Sequence, residues 1–205
     1  MPLSGQKVQT LPFETELDFF EIFERLVKKC RIAFFLESLG EESYESRHSV
    51  IGFEPDHHVE ARAGQFILDG QMTPAKDPYL ELQKMMPGDH LSRLYTGGLV
   101  GYLGYEAMNF FEPALKLPDH ADFPSFEFGL YTDGLILDKL TGVVQYFYYY
   151  KNRLDFIHKC LAEKPEEEMC RVRFSGFSRS AAEHKAMVEE AGEEILAGNT
   201  FQCQI

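Results

Sequence analysis

The sequence has little cysteine, and its few thiols follow no metal-binding pattern. Its 205 residues include four cysteines with no C-x-x-C pair, at Cys30, Cys160, Cys170 and Cys203. Such wide spacing is typical of reduced thiols rather than of disulfides or a zinc site. A secretory signal is also missing, and the longest apolar run near the start covers only residues 32–36, against about 18 residues needed to span a bilayer. We therefore predict a cytoplasmic protein with no membrane partner.

Positive charge is scarce as well. Lys and Arg number 20 against 33 Asp and Glu, which gives a formal net charge of −13. Because nucleic-acid affinity depends on basic side chains that neutralise phosphates, this balance argues against nucleic acid, and equally against an anionic membrane surface. The chain is instead rich in apolar and aromatic residues, with 44% hydrophobic residues, 18 Phe and 10 Tyr. This composition predicts a folded core and leaves small molecules or another protein as the expected partners.

Hydrophobic periodicity predicts a mixed fold. Helical spacing and capping residues predict helices over residues 15–31, 77–86, 154–163 and from 180 up to 198. Short apolar or alternating runs predict strands over residues 32–36, 49–53, 58–62, 65–68, 126–130, 134–137, 143–150 and 200–205. The unbroken apolar run 32–36 is typical of a strand buried on both faces. We predict an α+β fold, an antiparallel-rich sheet with flanking helices, divided into regions 1–175 and 176–205.

Polar residues follow the predicted strand 32–36 and precede the next one. Glu37 and Ser38 come directly after the first strand, and Arg47 and Ser49 lie at the start of the second. If the two strands pair, these four residues share one edge, where a carboxylate, hydroxyls and a cation could bind both ends of an amino acid. The alternative interpretation is an exposed turn with an ordinary surface ion pair.

No catalytic or metal-binding motif emerges from the residues alone. The glycines within residues 97–106 run G-x-x-G-x-x-G, which is neither a dinucleotide fingerprint nor a phosphate loop. They predict a strand or turn where two backbones approach closely. His57 and His58 have acidic neighbours in Asp56 and Glu60, but without a third convergent ligand a surface metal site is not favoured.

Four stretches in sequence order resemble motifs of one enzyme family. They are FFLES at 34–38, SRHSVIG at 46–52, GGLVGYLGYE at 97–106 and ILAGNTFQ at 195–202. In this order and spacing they resemble the N-terminal half of the large subunit of anthranilate synthase, and of its relative aminodeoxychorismate synthase. Each motif is weak alone, but the four together cover essentially the whole chain. One departure is Asn199, where the family usually has Asp.

The resemblance implies an activity for the intact family polypeptide, a lyase that is longer than this chain. The reaction is amination of chorismate by ammonia and elimination of pyruvate to give anthranilate, the first step of tryptophan biosynthesis. A glutamine amidotransferase subunit supplies the ammonia. The chorismate site and the magnesium-binding glutamates lie in the family's C-terminal half, where a hard cation bridges carboxylates. We therefore expect a truncated N-terminal portion that is inactive alone and binds no metal.

The resemblance also implies a regulatory site. In the family, the Glu-Ser dipeptide of the L-E-S motif lines the pocket where tryptophan binds as a feedback inhibitor. Glu37 and Ser38 are accordingly the expected inhibitor-binding residues, with Arg47 and Ser49 as neighbours. Aminodeoxychorismate synthase more often has Asp in place of this Glu, which favours anthranilate synthase. Two alternatives stay open: aminodeoxychorismate synthase component I, which makes a folate precursor, and a free-standing amino-acid sensor domain.

Overall fold

The computed structural model describes residues 7–39, 46–86, 95–112, 114–120, 122–163 and 171–205. The chain divides into two compact units, residues 1–165 and residues 166–205. A functional division between residues 175 and 176 stays a prediction. Across the described residues, no helix combines the length and the apolar character that crossing a membrane requires.

The described part of the first unit contains ten strands and several helices. In chain order the strands are β1 (Gln9–Pro12), β2 (Ala33–Glu37), β3 (His48–Phe53), β4 (His57–Arg62), β5 (Gln65–Leu68), β6 (Gln71–Thr73), β7 (Gly98–Leu103), β8 (Phe126–Tyr131), β9 (Asp133–Asp138) and β10 (Val143–Tyr148). The helices are α1 (Phe19–Val27), α2 (Pro78–Met85), α3 (Met108–Phe111) and α4 (Leu154–Ala162), with a 3₁₀ turn at Tyr105–Ala107. The second unit carries α5 (Ala181–Leu196).

The strands form two five-stranded sheets. The first sheet has the order β1-β10-β9-β3-β2, and the second has the order β6-β5-β4-β8-β7. Every neighbouring pair is antiparallel. The predicted α+β class, with antiparallel sheets and helices, is confirmed.

Helices α1, α2 and α5 begin where a side chain accepts hydrogen bonds from free backbone N–H groups. Asp77 accepts from the backbone N of Tyr79 at 2.9 Å and begins α2, as the Asp-Pro sequence predicts. The sequence predicts that α1 begins at residue 15, but its N-cap is Asp18, three residues later. The Asp18 carboxylate accepts from the backbone N of Phe20 at 2.8 Å. Thr15 instead closes a local turn by accepting from Leu17 at 3.1 Å.

Each sheet has its own apolar core. Helices α1 and α4 contact each other and pack on the first sheet. Burial of large apolar side chains there supplies the main stabilisation of the fold. The buried members are Phe13, Phe19, Ile22, Leu26, Ile51, Phe53, Leu135, Tyr146, Ile157 and Cys160. A smaller cluster lies on the second sheet and is formed by Val59, Ala61, Phe66, Leu82 and Phe126.

Strand β2 is an edge strand and is only partly buried, so the prediction of a strand buried on both faces overstates its burial. It pairs only with β3 in the described part of the sheet, and Leu36 is 49% exposed. Both faces of β2 are apolar because each face contacts an aromatic ring of another element. Phe35 stacks on Phe23 of α1 with ring centroids 5.5 Å apart, while Phe34 on the opposite face meets the ring of Tyr131 at 4.7 Å.

The predicted strand at residues 200–205 is also wrong. These residues adopt no strand conformation, and Phe201 is 92% exposed. A strand needs a partner for its ladder of hydrogen bonds, and no described segment pairs with this one. The local apolar pattern of residues 200–205 therefore predicts a strand, but no described segment provides the partner that this strand would need.

Candidate functional site

The pairing of β2 with β3 places two of the predicted site residues side by side. The antiparallel register puts Glu37 opposite Ser49. The Ser49 hydroxyl donates to Glu37 Oε1 at 3.2 Å. Ser49 is fully buried, whereas Glu37 lies at the exposed end of its strand. The predicted pairing of the two strands is therefore confirmed, and it presents the Glu37 carboxylate at one end of the first sheet.

Arg47, just before β3, is engaged with a carboxylate of the protein. Its guanidinium donates to Asp138 through two nitrogens, with Nε lying 2.9 Å from Oδ1. Asp138 ends β9, where it faces His48 in the β3–β9 register. The guanidinium holds the pKa of the Asp138 carboxyl well below its usual range. Arg47 thus joins two strands at this end of the sheet.

Lys139 links the same strand end to the remaining predicted residue. Its backbone N–H donates to the carbonyl oxygen of Arg47 at 2.8 Å. Its side-chain Nζ donates to the carbonyl oxygen of Ser38 at 2.6 Å. The structure therefore brings all four predicted residues to one place. We call this set of six residues the polar corner: Glu37, Ser38, Arg47, Ser49, Asp138 and Lys139.

Sequence reasoning missed Asp138 and Lys139. The segment from Asp138 to Gly142 lies between the predicted strands 134–137 and 143–150 and carried no functional prediction. Its contact with β3 depends on the pairing of β9 with β3, which joins residues about 90 positions apart. The available local signal was that Asp138 and Lys139 directly follow a predicted strand, as Glu37 and Ser38 do.

The polar corner offers a carboxylate beside a hydroxyl. Glu37 accepts a hydrogen bond from the neutral Ser49, and it forms no ion pair with any described residue. The charges of Arg47 and Asp138 are directed at each other. An ammonium group placed here would therefore meet the Glu37 carboxylate, with the Ser38 hydroxyl as an adjacent polar partner. This chemistry is suited to binding an amino acid, and the Ser49 hydroxyl that contacts the carboxylate is fully buried.

The histidine pair on β4 is divided between separate partners. His57 Nδ1 lies 2.8 Å from Asp69 Oδ2, and His58 Nε2 lies 2.7 Å from Glu127 Oε1. Asp56 instead accepts from the Tyr150 hydroxyl at 3.0 Å. Within the described ranges, no three His, Cys, Asp or Glu side chains come together as a metal site would require. These residues therefore provide no magnesium site, which the family resemblance implies in the family's C-terminal half and not among them.

An apolar pocket of about 320 Å³ lies at the other end of β2. Phe34 and Tyr131 contribute to its wall. Its polar residues bond to each other, since Glu127 contacts His58 and accepts from the Tyr102 hydroxyl at 3.2 Å. The pocket lining includes no member of the polar corner, so the two features are separate.

Comparison with known proteins identifies the family. Residues 32–205 match the family model described as chorismate binding enzyme. The chain belongs to this family of chorismate-binding enzymes. The membership predicted from the four motifs is thereby confirmed.

The similar proteins are anthranilate synthases. The chain is 45% identical to anthranilate synthase component 1 of Leptospira biflexa over 196 residues, covering 92% of this chain and 42% of the relative. It is 33% identical to the Methanothermobacter thermautotrophicus protein of the same name, covering 94% of this chain and 42% of that one. The crystal structure of anthranilate synthase component I from Streptococcus pneumoniae TIGR4 aligns with a TM-score of 0.49 and 18% identity, over 78% of this chain and 41% of that one. The chain thus spans about two fifths of the length of these curated relatives.

Proposed function

We propose that this chain is the N-terminal part of anthranilate synthase component I. The intact polypeptide aminates chorismate with ammonia and eliminates pyruvate, which yields anthranilate for tryptophan biosynthesis. One observation carries the proposal: 92% of the chain aligns at 45% identity with a protein of that name. The reaction takes place in the cytoplasm, with ammonia from a glutamine amidotransferase subunit.

The polar corner is proposed to be part of the tryptophan feedback site. The Glu37 carboxylate binds the ammonium group of tryptophan, and the Ser38 hydroxyl adds a hydrogen bond. Ser49 orients Glu37 through their 3.2 Å hydrogen bond, and Arg47 fixes the start of β3 through Asp138. The arrangement supports binding rather than chemistry because Ser49, whose hydroxyl contacts the Glu37 carboxylate, is fully buried and is not accessible to attack a substrate.

Catalysis is assigned to residues outside the described part of this chain. Mg²⁺ bound to the intact enzyme would be held by carboxylates and would supply a hard positive charge for an anionic substrate. The described residues provide no cluster that would hold it. The 205-residue chain alone should therefore form no anthranilate from chorismate, ammonia and Mg²⁺, as measured by anthranilate fluorescence.

The feedback site is tested in the full-length polypeptide, assayed with its amidotransferase subunit. Removing one partner of a charged, hydrogen-bonded contact costs about 2–5 kcal/mol, so Glu37→Ala should raise the inhibition constant for tryptophan tens-fold or more. Ser38→Ala removes a neutral bond worth about 1 kcal/mol and should raise it only several-fold. Uninhibited kcat/KM should stay at the parent value in both variants.

Glu24→Ala is the matched control because Glu24 is an exposed carboxylate on α1 and is not a member of the polar corner. It should leave tryptophan inhibition unchanged. A Glu37→Ala enzyme as sensitive to tryptophan as the parent would refute the feedback site. A product identified as aminodeoxychorismate instead of anthranilate would assign the chain to the related folate enzyme.

A further inference from the structure

Asp138, the last residue of β9, and Lys139, which follows it, form hydrogen bonds to the ends of both β2 and β3 at the polar corner. Asp138 receives the guanidinium of Arg47 through two nitrogens. Lys139 donates its backbone N–H to the Arg47 carbonyl at 2.8 Å and its Nζ to the Ser38 carbonyl at 2.6 Å. Three connections therefore run from one dipeptide to residues that lie about 90 to 100 positions earlier in the chain.

Ser38 needs such a connection because it lies beyond the ladder that holds β2. The β2–β3 register ends with Glu37 opposite Ser49. β2 is also an edge strand, and the residue after Ser38, Leu39, is 88% exposed. Strand ends with few contacts open readily. Among the described residues, the bond from Lys139 Nζ therefore restrains the Ser38 carbonyl.

Lys139 is itself held in place by the turn that follows β9. The Asp138 carboxylate accepts from the backbone N of Leu140 at 3.1 Å. The Asp138 carbonyl accepts from the backbone N of Gly142 at 2.8 Å. Asp138 thus stabilises the turn that contains Lys139, and it also binds Arg47. Asp138 and Lys139 therefore act together at this end of the sheet.

We infer that Lys139 and Asp138 are positioning residues of the tryptophan site, which hold the Glu37–Ser38 segment in its binding conformation. The inference rests on the proposed feedback site. A segment ordered before binding loses less conformational entropy when the ligand arrives. Loss of the Lys139 bond should therefore weaken tryptophan binding without affecting the turnover of chorismate.

The test compares two substitutions of Lys139 in the full-length polypeptide with its amidotransferase subunit. Lys139→Met keeps the length of the side chain but removes the donor, and it should raise the tryptophan inhibition constant about five- to tenfold. Lys139→Arg keeps a donor and should return most of the sensitivity. Uninhibited kcat and KM for chorismate, and the melting temperature, should match the parent in both variants. Lys84→Met is the control, because the Nζ of Lys84 also makes a 2.6 Å contact, in this case with the Glu81 carboxylate on α2.

A double-mutant cycle separates this inference from the feedback site itself. If Lys139 acts by placing Glu37 and Ser38, Lys139→Met should have much less effect in the Glu37→Ala background than in the parent. An unchanged inhibition constant in Lys139→Met, or a Lys139→Arg enzyme as insensitive as Lys139→Met, would overturn the positioning role. After either of these two outcomes, a loss of tryptophan inhibition in Glu37→Ala would still support the feedback site. Full sensitivity in Glu37→Ala would instead remove the feedback site, and the positioning role with it.

Discussion

Arg153 and Asp133 form a nearly buried ion pair in the first sheet, with Arg153 Nε 2.9 Å from Asp133 Oδ2. The Asp133 side chain is only 1% exposed. It also accepts from the Tyr146 hydroxyl at 2.8 Å, while Arg153 Nη1 donates to the Glu54 carbonyl at 2.8 Å. Burial raises the pKa of the Asp133 carboxyl, although the guanidinium of Arg153 opposes this shift. The pair connects β9 with the end of β3 and the start of α4, so it is part of the scaffold.

The first prediction is that Asp133→Asn strongly destabilises the protein. The substitution leaves the Arg153 guanidinium buried without its counter-charge, which typically costs about 3–5 kcal/mol. Urea unfolding at neutral pH, followed by circular dichroism, measures the difference. Glu60→Gln is the control because Glu60 pairs with the more exposed Arg62 at 3.1 Å, and such pairs contribute at most about 1 kcal/mol. Equal midpoints for Asp133→Asn and the parent would contradict a structural role for the buried pair.

Local elements of this fold could be predicted from the sequence because their signals are local. The capping box of α5 is one case. Glu183 donates its backbone N–H to Ser180 Oγ at 3.3 Å, and its carboxylate accepts from the Ser180 backbone N–H at 2.7 Å. The Asp77 cap of α2 is another. Each depends on residues within one helical turn. Pairing of β2 with β3 could also be anticipated because the two strands are consecutive.

Sheet order and edges could not be predicted in the same way. That β2 lies at an edge depends on β9 occupying the other side of β3, a contact that no periodicity within 32–36 encodes. The same pairing brings Asp138 to Arg47, so the two missed residues of the polar corner and the wrong burial of β2 have one cause. Interactions between residues about 90 positions apart decide both features.

The second prediction concerns acid sensitivity at the polar corner. The pKa of the Asp138 carboxyl is lowered in the folded state by Arg47, so the folded protein binds fewer protons here than the unfolded chain does. The contribution of this carboxylate to stability is therefore complete above the unfolded pKa of about 3.9 and is lost as the pH falls toward the folded value. Asp138→Asn should be less stable than the parent at pH 7, and the difference should shrink between pH 4 and pH 3.

Urea midpoints of parent and Asp138→Asn, measured at pH 7, 5, 4 and 3, check this prediction. Asp119→Asn is the control because Asp119 is an exposed carboxylate in a described loop. Its difference from the parent should stay near zero over the series. An Asp138→Asn difference that grows as the pH falls would show the opposite sign and refute the linkage.

The third prediction tests the core beneath the first sheet. Leu26 is fully buried in α1 against the sheet. Leu26→Ala should leave a cavity and lower the free energy of unfolding by about 2–5 kcal/mol. Leu140→Ala is the matched control because Leu140, in the turn after β9, is 51% exposed, and it should change stability by less than about 0.5 kcal/mol. Similar losses in the two variants would mean that α1 does not pack as described.

The last prediction compares two glycines with opposite surroundings. A Cβ at Gly101 in β7 would lie 1.9 Å from the carbonyl oxygen of Glu127 and 2.7 Å from Phe128 Cα. Both neighbours are backbone atoms of β8, so Gly101→Ala can be accommodated only if the two strands separate. This confirms the close approach of two backbones that the glycine pattern predicts. Gly192, in the interior of α5, has nothing within 4 Å of an added Cβ.

Opposite effects are therefore expected from the same chemical change. Gly101→Ala should destabilise the protein by about 1–3 kcal/mol or more, because overpacking forces the backbone to shift. Gly192→Ala should stabilise α5 by up to about 1 kcal/mol, since Gly has a lower helix propensity than Ala. Thermal unfolding distinguishes the two, because 1 kcal/mol corresponds to about 2–4 °C in a chain of this size. A Gly101→Ala protein that melts with the parent would show that β7 and β8 are not as close as the register requires, since no side-chain movement can relieve a clash between backbone atoms.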